Sequence, residues 1–220
     1  MKSGRAAWPA LAALCLPLGS CVPWTVRPLD ERNGAKQEGA AILSPAAYVD
    51  SIWNAKVIPA IVGNAVEART LLDALAASPE AARAKYGRGD GVGPAYFLVK
   101  GKGRVLSVDA RSRSRSILID VPPFDERPDV WIQAGPILRG TSLRDATGIV
   151  HYNDFLNQLE YADVGNEMND RVLKTVIAPL EATALKGRIV SFAGTVSALE
   201  SEGASIRGLV PIELTAEEHR

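Results

Sequence analysis

Arg139, Arg144, Asp145, Asn157 and Gln158 crowd polar chemistry into an otherwise apolar stretch. Guanidinium and carboxamide groups are donor sets that suit a carboxylate, a phosphate or sugar hydroxyls. The same groups can satisfy one another. Arg139 and Arg144 have Asp145 and Glu160 as partners, and Asn157 and Gln158 can bond backbone at the end of a strand. The stretch therefore supports two readings: a polar network that fixes a helix against a barrel, or a ligand pocket. Both require the five side chains to converge. Ile137, Leu138, Leu143, Ile149, Val150, Phe155 and Leu159 draw the stretch into a core. Each polar group carried with them and left unpaired costs about 1–3 kcal/mol. Ser142 reads as the cap of a short helix, with Asp145 three residues later at its positive end.

Other chemistries fit poorly. His151 is the only His outside the C-terminal tail, so a Ser-His-Asp triad would have to use it. It lies in a strand-like run, Ile149 to Tyr152, and no Gly-x-Ser-x-Gly turn surrounds any Ser. Two Cys and two His would all be consumed by one structural zinc site, and His151 with Asp154 or Glu160 lacks the ligand density of a metal centre. Asp120, Asp125, Glu126 and Asp129 read as a solvated loop. The Gly-rich run 87–93 lacks the Gly-Lys-Ser/Thr ending of a phosphate loop, and Arg88-Gly89-Asp90 within it is a chance tripeptide. Arg111, Arg113 and Arg115 alternate with Ser and read as a hairpin tip; on one strand face they would suit anionic head groups or a partner. No catalytic residue, metal ligand or cofactor is expected.

The whole chain narrows the classes further. It has 220 residues, 47% apolar and 23% charged, as in a soluble globular protein. Twenty-five basic residues balance 25 acidic ones, and aromatics make up 6%. Binding of nucleic acid needs a basic, aromatic-lined face, so no nucleic acid is expected as a partner.

Cys21 carries the strongest single signal. A basic start, Lys2 and Arg5, precedes an apolar stretch from Ala6 to Leu18 that is too short to span a bilayer. It ends in Leu18-Gly19-Ser20-Cys21, the bacterial lipobox pattern. The small residues fit a peptidase cleft, the Cys21 thiol takes a diacylglycerol, and cleavage frees an amine that can take a further acyl chain such as palmitate. Two or three chains anchor stably where one is marginal. Cleavage removes Lys2 and Arg5, leaving 23 basic against 25 acidic residues, a net charge of −2.

Several elements must position these residues. Residues 22–43, with Pro23, Pro28, Gly34 and Gly39, read as a tether. Ser44-Pro45 starts a helix on which Tyr48, Ile52, Trp53 and Val57 recur at helical spacing, with a break or kink at Pro59. A second helix is expected over 61–77 and a third from Ser78-Pro79, ending near Gly87. From Tyr96 the period becomes that of strands: 96–99, 104–108, 117–121, 130–133 and 149–152. A helix follows over 154–178, capped by Asn153, stopped by Pro179 and divided at Gly165-Asn166. Strands return over 189–192, 195–199, 205–209 and 211–214. Lys102–Val108 echoes Lys186–Phe192 at an offset of 84 residues, four positions being identical, which suggests a duplicated small barrel.

Two longer motifs add a resemblance. Gly135-Pro136-Ile137-Leu138-Arg139-Gly140-Thr141-Ser142-Leu143-Arg144-Asp145-Ala146 and Asn153-Asp154-Phe155-Leu156-Asn157-Gln158-Leu159-Glu160-Tyr161-Ala162 resemble motifs of a family of predicted periplasmic lipoproteins, whose genes often sit beside sugar ABC-transporter genes. The likeness extends from about Tyr48 to Leu214. The resemblance implies an OB-like β-barrel with added helices, and it brings no assigned catalytic residue.

The combined expectation is an α+β protein: N-terminal helices plus a small OB-like β-barrel, single or duplicated. Its divisions are a signal peptide over 1–20, a lipidated tether over 21–43, a helical segment over 44–94, and a barrel body over 95–220 with helices inserted at about 153–179. The expected function is a noncatalytic accessory or binding lipoprotein, on the periplasmic side of the inner or outer membrane. The bilayer is its first partner, through Cys21, with ABC-transporter components or a sugar or carboxylate ligand beside it. The alternative is an envelope enzyme acting on carbohydrate or peptidoglycan.

Overall fold

A computed structural model describes residues 44–89, 93–109, 115–203 and 205–217. The lipobox, Cys21 and the tether lie outside the described residues, as do Arg111 and Arg113. No described helix is long and apolar enough to cross a membrane.

Ser44 caps the first helix, α1 (Pro45–Ile52), by accepting from the Ala47 amide. Of the break or kink expected at Pro59, a clean break does not occur, and a distortion of the helix stands just ahead of it. The helix widens into a π-turn, Trp53–Val57, and runs on as α2 (Ile58–Asn64) with Pro59 in its first turn. Pro59 has no N–H to give the turn before it, and that turn is where the helix widens. The helix expected over 61–77 is divided instead. Ala65 turns extended, and β1 (Val66–Glu67) pairs in parallel with the second strand before α3 (Ala68–Ala77) begins. Helix α4 (Pro79–Tyr86) starts at Ser78, whose hydroxyl accepts from the Ala81 amide, and ends before Gly87.

Five strands close the barrel: β2 (Tyr96–Asp109), β3 (Ser116–Asp120), β4 (Val130–Gln133), β5 (Ile189–Ser197) and β7 (Ser205–Ala216); a two-residue strand, β6 (Ser201–Glu202), pairs on β7. The order is β2-β3-β4-β7-β5, with β5 returning to β2. Every pairing in this ring is antiparallel except β4 with β7. Closure removes the free edges that an open five-stranded sheet would expose. The interior is filled by residues such as Phe97, Val105, Ile117, Ile119, Ile132, Ile206 and Leu209, which are essentially inaccessible.

The echoed segments do not mark two barrels. They are neighbours in one: Lys102 lies opposite Ser191, Gly103 opposite Val190 and Arg104 opposite Ile189. Lys186 precedes β5, whereas Lys102 lies inside β2, so the two lysines do not occupy equivalent turns. The β5–β7 register shifts between Ala193 and Gly194, where Gly194 faces Pro211. A proline has no amide to donate to a ladder, and a bulge is where a sheet tolerates it. A Cβ at Gly194 would stand 2.2 Å from the Val210 carbonyl oxygen, so only glycine permits this approach.

The connection from β4 to β5 carries the motifs. It holds α5 (Ser142–Asp145), a 3-10 turn at Tyr152–Asp154, α6 (Gln158–Val172), and a π-turn, Leu173–Ile177, ending ahead of Pro179. The strand expected at 149–152 is absent: Ile149 to His151 are irregular and lead into the 3-10 turn. The helix starts at Gln158 with Asn157 as its cap, in place of Asn153. The Asn157 carboxamide oxygen accepts from the amides of Leu159 and Glu160, which gives the helix its first two partners. Gly165-Asn166 does not divide α6; Gly165 is buried where the helix passes Arg144 and Thr141. Helix α1 packs along α6, and Arg171 of α6 reaches Asp50 of α1 across the Trp53 ring.

Candidate functional site

The turn after β4 builds the centre of the site. Gly140 takes a positive φ of 88°, which only glycine adopts without strain, and the buried Asn169 amide of α6 donates to its carbonyl at 3.0 Å. This clamp sets Thr141 ahead of α5. The expected cap, Ser142, is instead buried, and its hydroxyl accepts from Thr195 of β5 at 2.8 Å. Thr141 takes the capping position, and its hydroxyl donates to Asp145 at 2.6 Å.

Asp145 collects five hydrogen bonds. Besides Thr141, it accepts from Arg144 Nε at 2.7 Å and Nη2 at 3.2 Å, from Tyr161 Oη at 3.1 Å and from Tyr96 Oη at 3.2 Å. Burial alone would raise its pKa. The hydrogen bonds from Arg144, Thr141 and Tyr161 and the guanidinium charge outweigh burial and hold the carboxyl below its ordinary 3.8. Arg144 is 8% exposed. Its Nη1 donates to the Tyr161 carbonyl at 2.9 Å, and its guanidinium lies 3.7 Å from the centre of the Tyr161 ring. Burial, followed by the nearby Asp145 charge, raises the pKa of the Tyr161 phenol. Burial also leads the rise at Tyr96, with Asp145 contributing. Both phenols therefore stay protonated and keep donating to Asp145.

This centre is the floor of a cavity of about 490 Å³, whose walls include Arg88, Pro94, Val150, His151 and Tyr152. Arg88 is placed by a two-residue antiparallel bridge: its amide donates to the Tyr96 carbonyl at 2.7 Å, and the Tyr96 amide returns a bond at 2.8 Å. Side chains of such a pair share one face, so Arg88 stands beside Tyr96 over the cavity. The rings of Tyr152 and Tyr161 meet edge to face at 5.5 Å, and Phe155 links Tyr161 to Tyr48 of α1.

Of the five residues singled out in the sequence, the structure brings Arg144 and Asp145 together. The Arg139 side chain is exposed; its amide donates to the buried Gln133 carboxamide, which also bonds the Gly208 carbonyl. Asn157 and Gln158 are exposed at the start of α6, so neither joins the centre. Glu160 accepts from the Leu156 amide in place of pairing with an arginine. Ile137 and Leu159, expected in the core, are 49% and 70% exposed; their segments turn outward at the loop and at the helix start. The sequence reading passes over Tyr96, Thr141 and Tyr161 and takes Arg88 only as part of a chance tripeptide, whereas all four line or support this centre. Tyr161 stands inside the second motif and Thr141 inside the first, whereas Arg88 and Tyr96 are brought to the site by strand pairing alone.

Two other clusters resolve differently. The acidic loop is not simply solvated: Asp120 is fully buried and accepts from the Glu126 amide, while Asp129 accepts from Val121 and Arg69. Among the described residues no group of three His, Cys, Asp or Glu is placed to hold a metal. A second, larger cavity of about 630 Å³ is lined by Ala68, Arg69, Lys100, Phe192, Glu213 and Thr215 among others. None of the motif residues reaches it. Its Arg69 is tied to the Val121 and Pro122 carbonyls and its Lys102 to Glu217, while Lys100, Glu67 and Glu213 also line it.

Comparison with known proteins agrees with this architecture. The chain is similar to the crystal structure of an OB-fold protein from Thermotoga maritima, with a TM-score of 0.67 and 22% identity, covering 80% of this chain and 99% of that one. That likeness shows the fold. No curated protein matches the chain. The model of the predicted periplasmic lipoprotein family DUF2291 matches residues 11–215, which include both motifs and every strand of the barrel except the end of β7. The chain therefore belongs to this family of predicted periplasmic lipoproteins and is assigned to the periplasmic side of the bacterial envelope.

Proposed function

We propose that the protein is a noncatalytic binding or accessory lipoprotein, anchored through acylated Cys21, and that the cavity floored by Arg144 and Asp145 takes a small sugar or carboxylate ligand. The observation that carries this reading is the floor itself. Five hydrogen bonds fix Asp145 before any ligand arrives, so the walls are held in place by a rigid scaffold. A site whose shape is set in advance loses less entropy on binding. The neighbourhood of transporter genes in the family that the motifs resemble makes components of a sugar ABC-type uptake system the proposed partners.

An enzyme acting on glycosidic bonds would place two carboxyl groups about 5–9.5 Å apart across a cleft. Among the described lining residues Asp145 is the sole carboxylate, and Arg144 holds it ionised, which makes it a poor proton donor. This favours the binding reading over the enzymatic one. A thermal-melting screen of sugars and organic acids tests it. A ligand that raises the melting temperature of the wild type, and not of a cavity-filling variant at the half-buried lining residue Thr147, Thr147→Trp, is the expected result. No shift with any compound, together with hydrolysis of an envelope glycan, would favour the enzyme.

A further inference from the structure

We propose that the cavity selects an anionic ligand that also carries hydroxyl groups, either a hydroxylated carboxylate or a phosphate ester, with its anion at Arg88 and its hydroxyls at Tyr96 and Tyr161. The proposal rests on the binding reading above and names the ligand class of the same site.

The polar groups of the cavity divide into those already used and those left over. Asp145 accepts five bonds and is neutralised by Arg144, so it offers little to a cationic ligand. The guanidinium of Arg144 is committed to Asp145, to the Tyr161 carbonyl and to the Tyr161 ring. Outside this pair, Arg88 is the one permanently charged side chain among the described lining residues. Its guanidinium makes no hydrogen bond or ion pair with any described residue, while its backbone is fixed to Tyr96. Among the described lining residues, Arg88 thus adds a positive charge on a planar group suited to two-pronged contact with a carboxylate or phosphate.

The tyrosines set the second requirement. Tyr96 and Tyr161 give their hydroxyl protons to Asp145, so what each oxygen has left is lone-pair capacity. A ligand meets those oxygens best with hydroxyl donors of its own. A simple carboxylate without hydroxyls leaves them unmatched, and a neutral polyol leaves Arg88 unmatched. Tyr152, Val150 and Pro94 provide apolar surface for the carbon skeleton between the two ends.

Isothermal titration calorimetry on the detergent-solubilised full-length protein, with gluconate, glycerol phosphate, glucose and acetate as four separate probes, tests the proposal. Gluconate or glycerol phosphate should bind about tenfold or more tighter than glucose and acetate, the scale of one charge-assisted hydrogen bond. Arg88→Ala should remove that preference without changing the melting temperature, because Arg88 is exposed. Arg88→Lys should restore part of it. Glucose binding as tightly as gluconate, or an unchanged preference in Arg88→Ala, would overturn the anion assignment and leave the cavity as a ligand site. Acetate binding as tightly as gluconate would overturn the hydroxyl assignment. Silence from all four probes overturns the proposal. Silence in the wider melting screen as well would remove the binding reading on which it rests.

Discussion

Arg144 and Asp145 are adjacent in the chain, yet their bond is bidentate and sheltered, which separates it from surface pairs worth little. Arg144→Ala leaves a half-buried carboxylate without its main partner. The expected loss in chemical denaturation is about 3–5 kcal/mol, the scale for breaking a buried pair on one side. Arg144→Lys should recover only part of it, since an ammonium cannot reproduce the fork or lie flat over the Tyr161 ring. The same pair sets a pH dependence. The folded-state pKa of Asp145 is depressed, so its contribution is complete above the unfolded value and lost as pH falls through the folded one. Stability should therefore drop as pH is lowered below the ordinary aspartate value of 3.8, and an Asp145→Asn variant should show a shallower drop. A denaturation series across that range, equally steep in both proteins, would contradict the assignment.

Helix α6 and the β5–β7 pair are the elements that hold this centre in place. The one carboxamide oxygen of Asn157 accepts from two amides in the first turn of α6, so Asn157→Ala should cost about 1 kcal/mol without altering the cavity chemistry. A cost near zero would mean that the packing of α1 and the barrel alone sets the start of the helix. Gly194 has a different role. A methyl there meets the Val210 carbonyl oxygen at 2.2 Å and the Leu209 side chain at 2.8 Å, with strand backbone on one side that cannot swing away. Gly194→Ala should destabilise by about 1–3 kcal/mol through forced displacement of β7 from β5, visible as lost amide protection along both strands. Protection unchanged from wild type would show that the bulge opposite Pro211 absorbs the methyl.

At the scale of the whole molecule, the proposal is that acylated Cys21 attaches the closed barrel and its packed helices to the envelope. Cells fed a clickable fatty acid should label the wild-type protein in the membrane fraction, while Cys21→Ala should neither label nor sediment with membranes. A Cys21→Ala protein that still labels would place the lipid elsewhere. The unlipidated variant should keep the ligand response of the wild type, because the described residues that line the cavity and support it all lie within the compact unit Leu43–Arg220.

The sequence by itself determined the envelope address, the α+β class, the helix starts at Ser44 and Ser78, and the strands that form the barrel. Each is a local signal: a lipobox read as a linear string, a hydroxyl one residue before a proline, or an apolar run with strand period. The sequence also placed Arg144 and Asp145 in one polar centre, because adjacent residues in a buried turn have few ways to avoid each other. Tertiary structure decided the rest. Arg139, Asn157 and Gln158 left the centre once a glycine turn and a helix start fixed which way their side chains point. Arg88 and Tyr96 entered it through a two-residue bridge that no periodicity announces. The echo around Lys102 and Lys186 described two neighbouring strands of one barrel, because similar strand sequences pair as readily across a ladder as they repeat along a chain. Strand partners are chosen by closure of the barrel, a condition on all five strands together, and no single stretch of sequence carries it.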